Sequence, residues 1–145
     1  HIPLMIHKPG QQSREDVFQR TTAADILPTL LHLTGQPIPE WVEGAVLPTF
    51  GGATASPDRL VYSIEAKSNP KYAALTEATV AQYRDDIKLI RYFGYNPDDR
   101  YEMYNLADDP EELNNIYESE KGLAEELTAV LHDKIFAVNA PYRRE

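Results

Sequence analysis

The 145-residue sequence contains no cysteine, and this absence excludes several kinds of site from these residues. Without thiols the chain cannot form disulfide bonds, use a thiolate nucleophile or build cysteine-ligated zinc and iron–sulfur centres. It also lacks any apolar run close to the roughly 20 residues that cross a bilayer, and no signal peptide stands at its start. We therefore expect neither a disulfide scaffold nor a contact with membranes.

Basic residues are scarce as well, with 14 Lys and Arg against 23 Asp and Glu and a formal net charge of −9. A field of this sign repels phosphate backbones unless a local basic patch overcomes it. The nearest candidate patch is the pair Arg143 and Arg144, which is too short to bind a nucleic acid. A hydrophobic content of 42% is nevertheless ordinary for a folded protein. We expect a globular chain that does not bind nucleic acid.

The four histidines do not form a metal-ligand pattern. Along an extended strand, His1 and His7 would lie about 20 Å apart, too far to share an ion. His32 and His132 each lie in a separate apolar helical pattern without a ligand-type partner one turn away. The sequence also lacks the Gly-x-Ser-x-Gly elbow, the phosphate-binding loop and the Gly-x-Gly-x-x-Gly fingerprint. It therefore predicts no metal site and no catalytic residue.

The acidic run at residues 108–112 does not fit a calcium loop, because it lacks alternating oxygen ligands and a glycine at the sixth position. Asp109 followed by Pro110 instead predicts the start of a helix or turn. In a helix, Glu111 and Glu112 would lie at the positive end of the dipole.

The first third of the chain predicts a strand followed by a helix. Residues 2–6 form a short apolar run that ends at Pro9 and Gly10, as in a buried strand. Residues 21–34 have helical spacing, Asp25 is the expected cap, and Gly35 ends the pattern. The sequence begins inside the predicted strand without an initiator methionine, so we expect its first residue to be a boundary within a longer protein.

After a connector rich in proline and glycine at residues 36–57, the pattern changes. Residues 60–66, 77–83, 87–93 and 101–105 are rich in β-branched and aromatic side chains and are separated by turn residues. Residues 119–138 predict a final amphipathic helix whose apolar positions are Leu123, Leu127, Val130, Leu131, Ile135 and Val138. We predict an α+β fold in which this helix packs on a four-stranded antiparallel sheet. The predicted domains are residues 1–56 and 57–145.

Several segments, in order along the chain, resemble the end of a sulfatase. They are HIPLMIHKPG at residues 1–10, DILPTLL at 25–31, the Pro-rich connector, IKLI at 87–90 and EMYNLADDPEELNNI at 102–116. Tyr-Asn-Leu at 104–106 replaces the Tyr-Asp-Leu that is more usual in the family. The resemblance implies that residues 1–56 are the last strand, helix and connector of a large α/β catalytic domain, and that residues 57–145 are the C-terminal subdomain.

The resemblance also implies a parent enzyme that hydrolyses sulfate esters with a formylglycine residue and a calcium or magnesium ion. The nucleophile motif, metal ligands and catalytic Lys and His of the family would precede this chain. We therefore expect the fragment to need no cofactor, to be inactive alone, and to serve as scaffold and as a wall of the substrate mouth. Its expected partners are the missing N-terminal domain, the substrate, and a second copy bound through surface exposed by truncation. The family favours a periplasmic or secreted location, and a cytoplasmic one stays open.

The candidate substrate contacts are Lys67, Lys71, Tyr72 and Arg84. The three cations could bind an anionic sulfate group, and the tyrosine could stack on a ring or sugar face. Two other functions stay open at this point. One is a phosphoester or phosphonate hydrolase of the same superfamily, and the other is a non-catalytic module that binds a protein partner through an exposed apolar face.

Overall fold

The computed structural model describes residues 3–51, 59–67 and 73–142. The chain forms two compact units, His1–Ala55 and Ser56–Glu145. The described residues of the first unit contain the α-helix α1 (Ile26–Leu33) and short 3-10 turns at Ala23–Asp25 and Pro48–Phe50. The assignment of residues 1–56 and 57–145 to two sulfatase domains stays a prediction.

The strand predicted over residues 2–6 is not present in the described part of that segment. Residues 3–6 have no strand pairing, and Met5 is 91% exposed. An apolar run becomes a strand only when a neighbouring strand supplies partners for its N–H and C=O groups. The apolar pattern of residues 2–6 alone was therefore not enough to predict whether this segment forms a strand.

Helix α1 begins one residue after Asp25, as predicted, but the carboxylate of Asp25 does not cap it in the expected way. Asp25 accepts hydrogen bonds from the N–H groups of Thr22 at 2.9 Å and Ala45 at 2.8 Å. One turn later, the hydroxyl of Thr29 donates to the Asp25 carbonyl at 2.6 Å and accepts from the N–H of Leu47 at 2.9 Å. The buried side chains of Asp25 and Thr29 therefore fix the connector against the start of the helix.

Gly44 makes this close approach possible. A Cβ atom at this position would lie 2.0 Å from the carbonyl oxygen of Ala24. Only a residue without a side chain allows the two backbone segments to pack so closely.

The second unit contains the predicted antiparallel sheet in the order β1 (Val61–Glu65), β2 (Ala78–Arg84), β3 (Ile87–Phe93) and β4 (Arg100–Asn105). All neighbours along the chain are neighbours in the sheet, so the strands form a simple meander. The β2–β3 turn contains Asp85 with φ of 48°, a conformation that Asp tolerates better than most residues. The four predicted strands are thus confirmed to within one residue at each end.

Helix α2 (Lys121–Asn139) covers one face of the sheet, which confirms the predicted α+β architecture. The core between the two layers contains Ala78, Val80, Leu89, Phe93, Met103, Ala124, Leu127, Leu131 and Ile135. The stripe on α2 differs from the prediction at its end, because Val138 is 43% exposed and Asn139 is 8% exposed. After Ile135 the next position on the inward face is four residues on, which selects Asn139. None of the helices in the described part of the chain has the length and apolar character needed to cross a bilayer.

Candidate functional site

Two of the four predicted substrate contacts lie in the described residues. Lys67 follows β1, its side chain is 89% exposed, and its Nζ lies 3.4 Å from a carboxylate oxygen of Glu65. Arg84 ends β2 and binds Glu126 of α2 at 2.5 Å. Lys71 and Tyr72 lie outside the described residues. Lys67 is therefore accessible to an anion, whereas Arg84 would have to leave Glu126 to reach one.

The acidic segment that most resembles sulfatases forms a turn and not the start of a helix. The carboxylate of Asp109 accepts hydrogen bonds from the N–H groups of Leu113 at 3.0 Å and Asn114 at 2.8 Å. Glu112 has a positive φ of 58°, and its carboxylate binds Lys88 of β3 at 2.5 Å. The prediction of a turn is confirmed, and the suggested role of a helix dipole is wrong because residues 110–111 form a turn and no helix begins at Pro110.

The next residues of the same segment close the β4 edge of the sheet. The Asn115 side-chain oxygen accepts hydrogen bonds from the N–H groups of Met103 and Tyr117, both at 3.0 Å. The N–H of Ile116 donates to the Met103 carbonyl at 2.8 Å. Asn115 thus satisfies a donor that an additional strand would otherwise bind, so the segment has a structural role at the sheet edge.

On the sheet face opposite α2, the carboxylate of Glu102 is surrounded by hydrogen-bond donors. Glu102 accepts from the Tyr92 hydroxyl at 2.9 Å and also binds Arg100. Burial and the bond to Glu102 raise the pKa of Tyr92 to about 12. Burial alone would raise the pKa of Glu102, but hydrogen bonds from Arg100, Tyr92 and Tyr104 hold it below its usual value. This carboxylate stays ionised and hydrogen-bonded, which suits a structural role better than proton transfer.

A second polar cluster joins α2 to β4. The Tyr101 hydroxyl lies 2.8 Å from His132 Nε2, and the Tyr101 ring stacks on Tyr117 with ring centroids 5.2 Å apart. Burial, with the charge of Arg91 second, lowers the pKa of His132. The hydrogen bond to His132 and the ring stacking on Tyr117 both place Tyr101 at the junction of β4 with α2.

A third contact was not predicted from the sequence. The Asn139 side-chain oxygen accepts from the Leu75 N–H at 2.7 Å, and its amide nitrogen donates to the Leu75 carbonyl at 3.2 Å. The sequence does contain a signal for this contact. Asn139 is a polar residue at a position of the final helix where the helical period predicts an inward-facing apolar side chain. The sequence analysis did not identify this contact because it assigns the neighbouring Val138, and not Asn139, to the inward-facing side of the helix.

In the described ranges, no group of three or more His, Asp or Glu side chains could hold a metal ion. The calcium or magnesium ion implied by the resemblance therefore finds no ligand set there.

A comparison with family models matches residues 1–140 to the C-terminal region of N-sulphoglucosamine sulphohydrolase. No curated protein matches the chain. The comparison with solved structures gives several matches, and two of them are to much longer chains.

The first is the structure of BT4656 in complex with its substrate D-glucosamine-2-N,6-O-disulfate, with 28% sequence identity and a TM-score of 0.59. It covers 83% of this chain and 25% of that one. The second is a candidate sulfatase from Bacteroides thetaiotaomicron, with 27% identity and a TM-score of 0.61, covering 78% of this chain and 24% of that one. The chain thus spans about a quarter of the length of either structure.

Proposed function

Because this chain belongs to the family of sulfatase C-terminal regions, we propose that it acts within a longer enzyme that hydrolyses sulfate esters. In this proposal residues 1–56 complete the catalytic domain and residues 57–145 form the C-terminal subdomain. The chain supplies scaffold and a wall of the substrate mouth. The nucleophile, formylglycine and the metal ion belong to the part of the enzyme that precedes it.

The observation that carries this proposal is the reversed burial of α1. Asp25, which directly precedes α1, and Thr29 are 1% and 4% exposed, whereas Leu30 and Leu33 are 56% and 55% exposed. Ile26 and Leu27 are also more than 40% exposed. A helix that exposes most of its large apolar side chains presents a face that another apolar surface can cover. The N-terminal catalytic domain of the same enzyme is the partner we propose for this face.

The substrate class we propose is a sulfated amino sugar, by analogy with the substrate bound to BT4656. Its sulfate groups are anionic, and Lys67, Lys71 and Arg84 would bind them as ion pairs while Tyr72 packs on the ring. The 89% exposure of the Lys67 side chain supports this role. For Arg84 the proposal requires exchange of Glu126 for a sulfate group.

The test is steady-state kinetics of the longer enzyme on D-glucosamine-2-N,6-O-disulfate. Lys67→Ala and Lys71→Ala should each raise KM by about fivefold to tenfold, the loss expected for one hydrogen bond worth about 1–1.4 kcal/mol. Lys121→Ala, an exposed lysine at the start of α2, is the matched control and should leave KM unchanged. The 145-residue chain alone should have no activity.

Two variants distinguish a substrate-binding role of Arg84 from a purely structural ion pair with Glu126. If Arg84 binds substrate, Arg84→Gln raises KM, whereas Glu126→Gln releases the guanidinium and leaves KM the same or lower. Equal KM increases in both variants would assign the ion pair a purely structural role.

Turnover of 4-nitrophenyl phosphate or a phosphonate ester in preference to 4-nitrophenyl sulfate would favour the phosphoester or phosphonate hydrolase instead. If the longer protein turns over none of these, and the chain instead captures a protein partner through the face of α1, the non-catalytic module is favoured.

A further inference from the structure

The hydroxyl of Tyr101 on β4 lies between two acceptors that come from different parts of the second unit. Its oxygen is 2.8 Å from Nε2 of His132 on α2 and 3.4 Å from Oδ2 of Asp99, in the connection between β3 and β4. A tyrosine hydroxyl carries a single proton, so it donates to only one of these atoms at a time. An ionised carboxylate only accepts hydrogen bonds, whereas an imidazole nitrogen accepts when it is unprotonated and donates when it carries a proton. The protonation of His132 therefore decides which way the Tyr101 hydroxyl donates.

Charged groups from the neighbouring elements surround these three side chains. The guanidinium of Arg91 on β3 donates to the same Asp99 oxygen, from Nε at 2.9 Å and from a terminal nitrogen at 2.6 Å. Arg91 is also the direct partner of Tyr101 across β3 and β4. Arg91 disfavours a positive charge on His132, whereas Asp99 and the adjacent Asp133 of α2 favour it. The Asp99 oxygen is thus the point at which the guanidinium of Arg91 and the hydroxyl of Tyr101 converge.

Two arrangements of hydrogen bonds fit the same positions of these atoms. When Nε2 of His132 is unprotonated and Nδ1 carries the proton, the Tyr101 hydroxyl donates to Nε2 over the shorter distance. When Nε2 takes up a proton from solvent, it donates to the hydroxyl oxygen, and the hydroxyl proton rotates toward Asp99. We propose that His132, Tyr101 and Asp99 form a pH-sensitive switch that links α2 to the β3–β4 connection when His132 is protonated. The change requires one proton from water and the rotation of one hydroxyl.

The switch operates in the acidic range. His132 lies on the solvent-accessible side of α2, so protons reach its ring without a change in the fold. Partial burial, with the charge of Arg91 second, lowers the pKa of His132 below the ordinary 6.5. The hydroxyl of Tyr101 therefore donates to His132 at neutral pH and to Asp99 in acid. All of these residues belong to the second unit, so the inference is independent of the proposed enzymatic function.

The first test locates the proton of His132 in the unmodified 145-residue chain. At about pH 8, nitrogen NMR of the imidazole should show an unprotonated Nε2 and a proton on Nδ1, because the hydroxyl of Tyr101 donates to Nε2. Tyr101→Phe removes that donor and should shift the ring toward the tautomer with the proton on Nε2. A proton on Nε2 at about pH 8 in the unmodified chain would overturn the inference, since the hydroxyl would then already donate to Asp99.

The second test measures the coupling between Tyr101 and Asp99 with a double-mutant cycle of Tyr101→Phe and Asp99→Ala. Urea unfolding of the four proteins gives this coupling as a factor in the folding equilibrium constant. We expect a factor within about twofold at about pH 8 and of about fivefold or more at about pH 5, because the hydrogen bond to Asp99 forms only when His132 is protonated. In a His132→Gln background the factor should be the same at both pH values, since glutamine does not titrate.

Tyr117→Phe is the matched control for Tyr101→Phe. The Tyr117 ring stacks on Tyr101 at 5.2 Å, but its hydroxyl lies 3.3 Å from Thr128 of α2. A cycle of Tyr117→Phe and Asp99→Ala should therefore give the same factor at both pH values.

Equal coupling of Tyr101 and Asp99 at both pH values would overturn the inference, as would a His132 ring that stays neutral down to about pH 5. The NMR measurement requires no variant, so it tests the switch even if Asp99→Ala does not fold.

Discussion

Gln82 shows how a single buried polar side chain can reduce stability. It lies on β2 opposite Tyr62 of β1 and Leu89 of β3, and it is 1% exposed. Within the described part of the chain, neither its side-chain oxygen nor its nitrogen has a hydrogen-bond partner. An unsatisfied amide in this position costs free energy that an apolar side chain of similar size would not.

We therefore predict that Gln82→Leu raises the free energy of unfolding by about 1–3 kcal/mol. Urea denaturation of the 145-residue chain measures this directly. Gln12→Leu, at an exposed position, is the control and should change stability by less than about 0.5 kcal/mol. Equal stability of Gln82→Leu and the unmodified chain would show that Gln82 has partners in solution.

His132 makes stability depend on pH. Burial and Arg91 lower its pKa below the ordinary 6.5, while Asp99 and Asp133 act in the opposite direction. The unfolded chain therefore takes up the proton first as pH falls. The stability associated with neutral His132 is fully present above pH 6.5 and is lost as pH falls through the folded pKa.

The expected outcome is a decrease in the free energy of unfolding below pH 6.5 that is smaller in His132→Gln. Tyr101→Phe removes the hydroxyl partner but keeps the imidazole and Arg91, so it should retain the pH dependence. Thermal or urea unfolding at a series of pH values from about 5 to 8 provides the measurement. Parallel curves for His132→Gln and the unmodified chain would contradict this assignment.

At the scale of elements, residues 109–117 and the β4 edge of the sheet stabilise each other through hydrogen bonds. β4 would expose the N–H of Met103 if Asn115 did not accept from it. The sequence predicted the strand, the acidic turn and the final helix, because each has a local periodicity or turn composition. It could not predict that a side chain would pair with the strand, since this depends on where the chain returns after the turn.

We predict that Asn115→Ala lowers the free energy of unfolding by about 1–3 kcal/mol, because the N–H groups of Met103 and Tyr117 lose their acceptor. Asn115→Asp retains an acceptor and should lose less. The neighbouring Asn114→Ala should be neutral within about 0.5 kcal/mol in the same denaturation experiment. A similar loss in Asn114→Ala and Asn115→Ala would assign the effect to the turn and not to the sheet edge.

At the scale of the whole molecule, the chain has an acidic surface and an apolar face on α1. Leu30 and Leu33 are both more than half exposed. In the longer enzyme we propose that the catalytic domain covers this face. When the 145-residue chain is produced alone, a second copy can cover it instead, as the sequence led us to expect.

The prediction is concentration-dependent self-association of the chain, weakened at least tenfold by the double substitution Leu30→Gln and Leu33→Gln. The estimate follows from the roughly 1.5–3 kcal/mol gained on burying one such side chain. Leu113→Gln is the control, because Leu113 is 79% exposed but lies in the second unit. Sedimentation velocity over a range of concentrations measures the association, and a monomer at every concentration would contradict it.

The sequence by itself determined the elements whose pattern is local. Segments rich in β-branched and aromatic residues predicted the four strands, helical spacing predicted α1 and α2, and turn residues separated the strands. The ordered set of motifs also indicated the sulfatase family that the comparison confirms. These features are readable because neighbouring residues along the chain are also neighbours within an element.

Only the tertiary structure decided which polar side chains serve distant partners. Asp25 binds the N–H of Ala45, 20 positions away, and Asn139 binds Leu75, 64 positions away. It also showed that residues 3–6 lack strand pairing and that α1 exposes Leu27, Leu30 and Leu33. Hydrogen-bond pairing and burial depend on which segments meet in space, and a periodic pattern within one segment does not specify its partner.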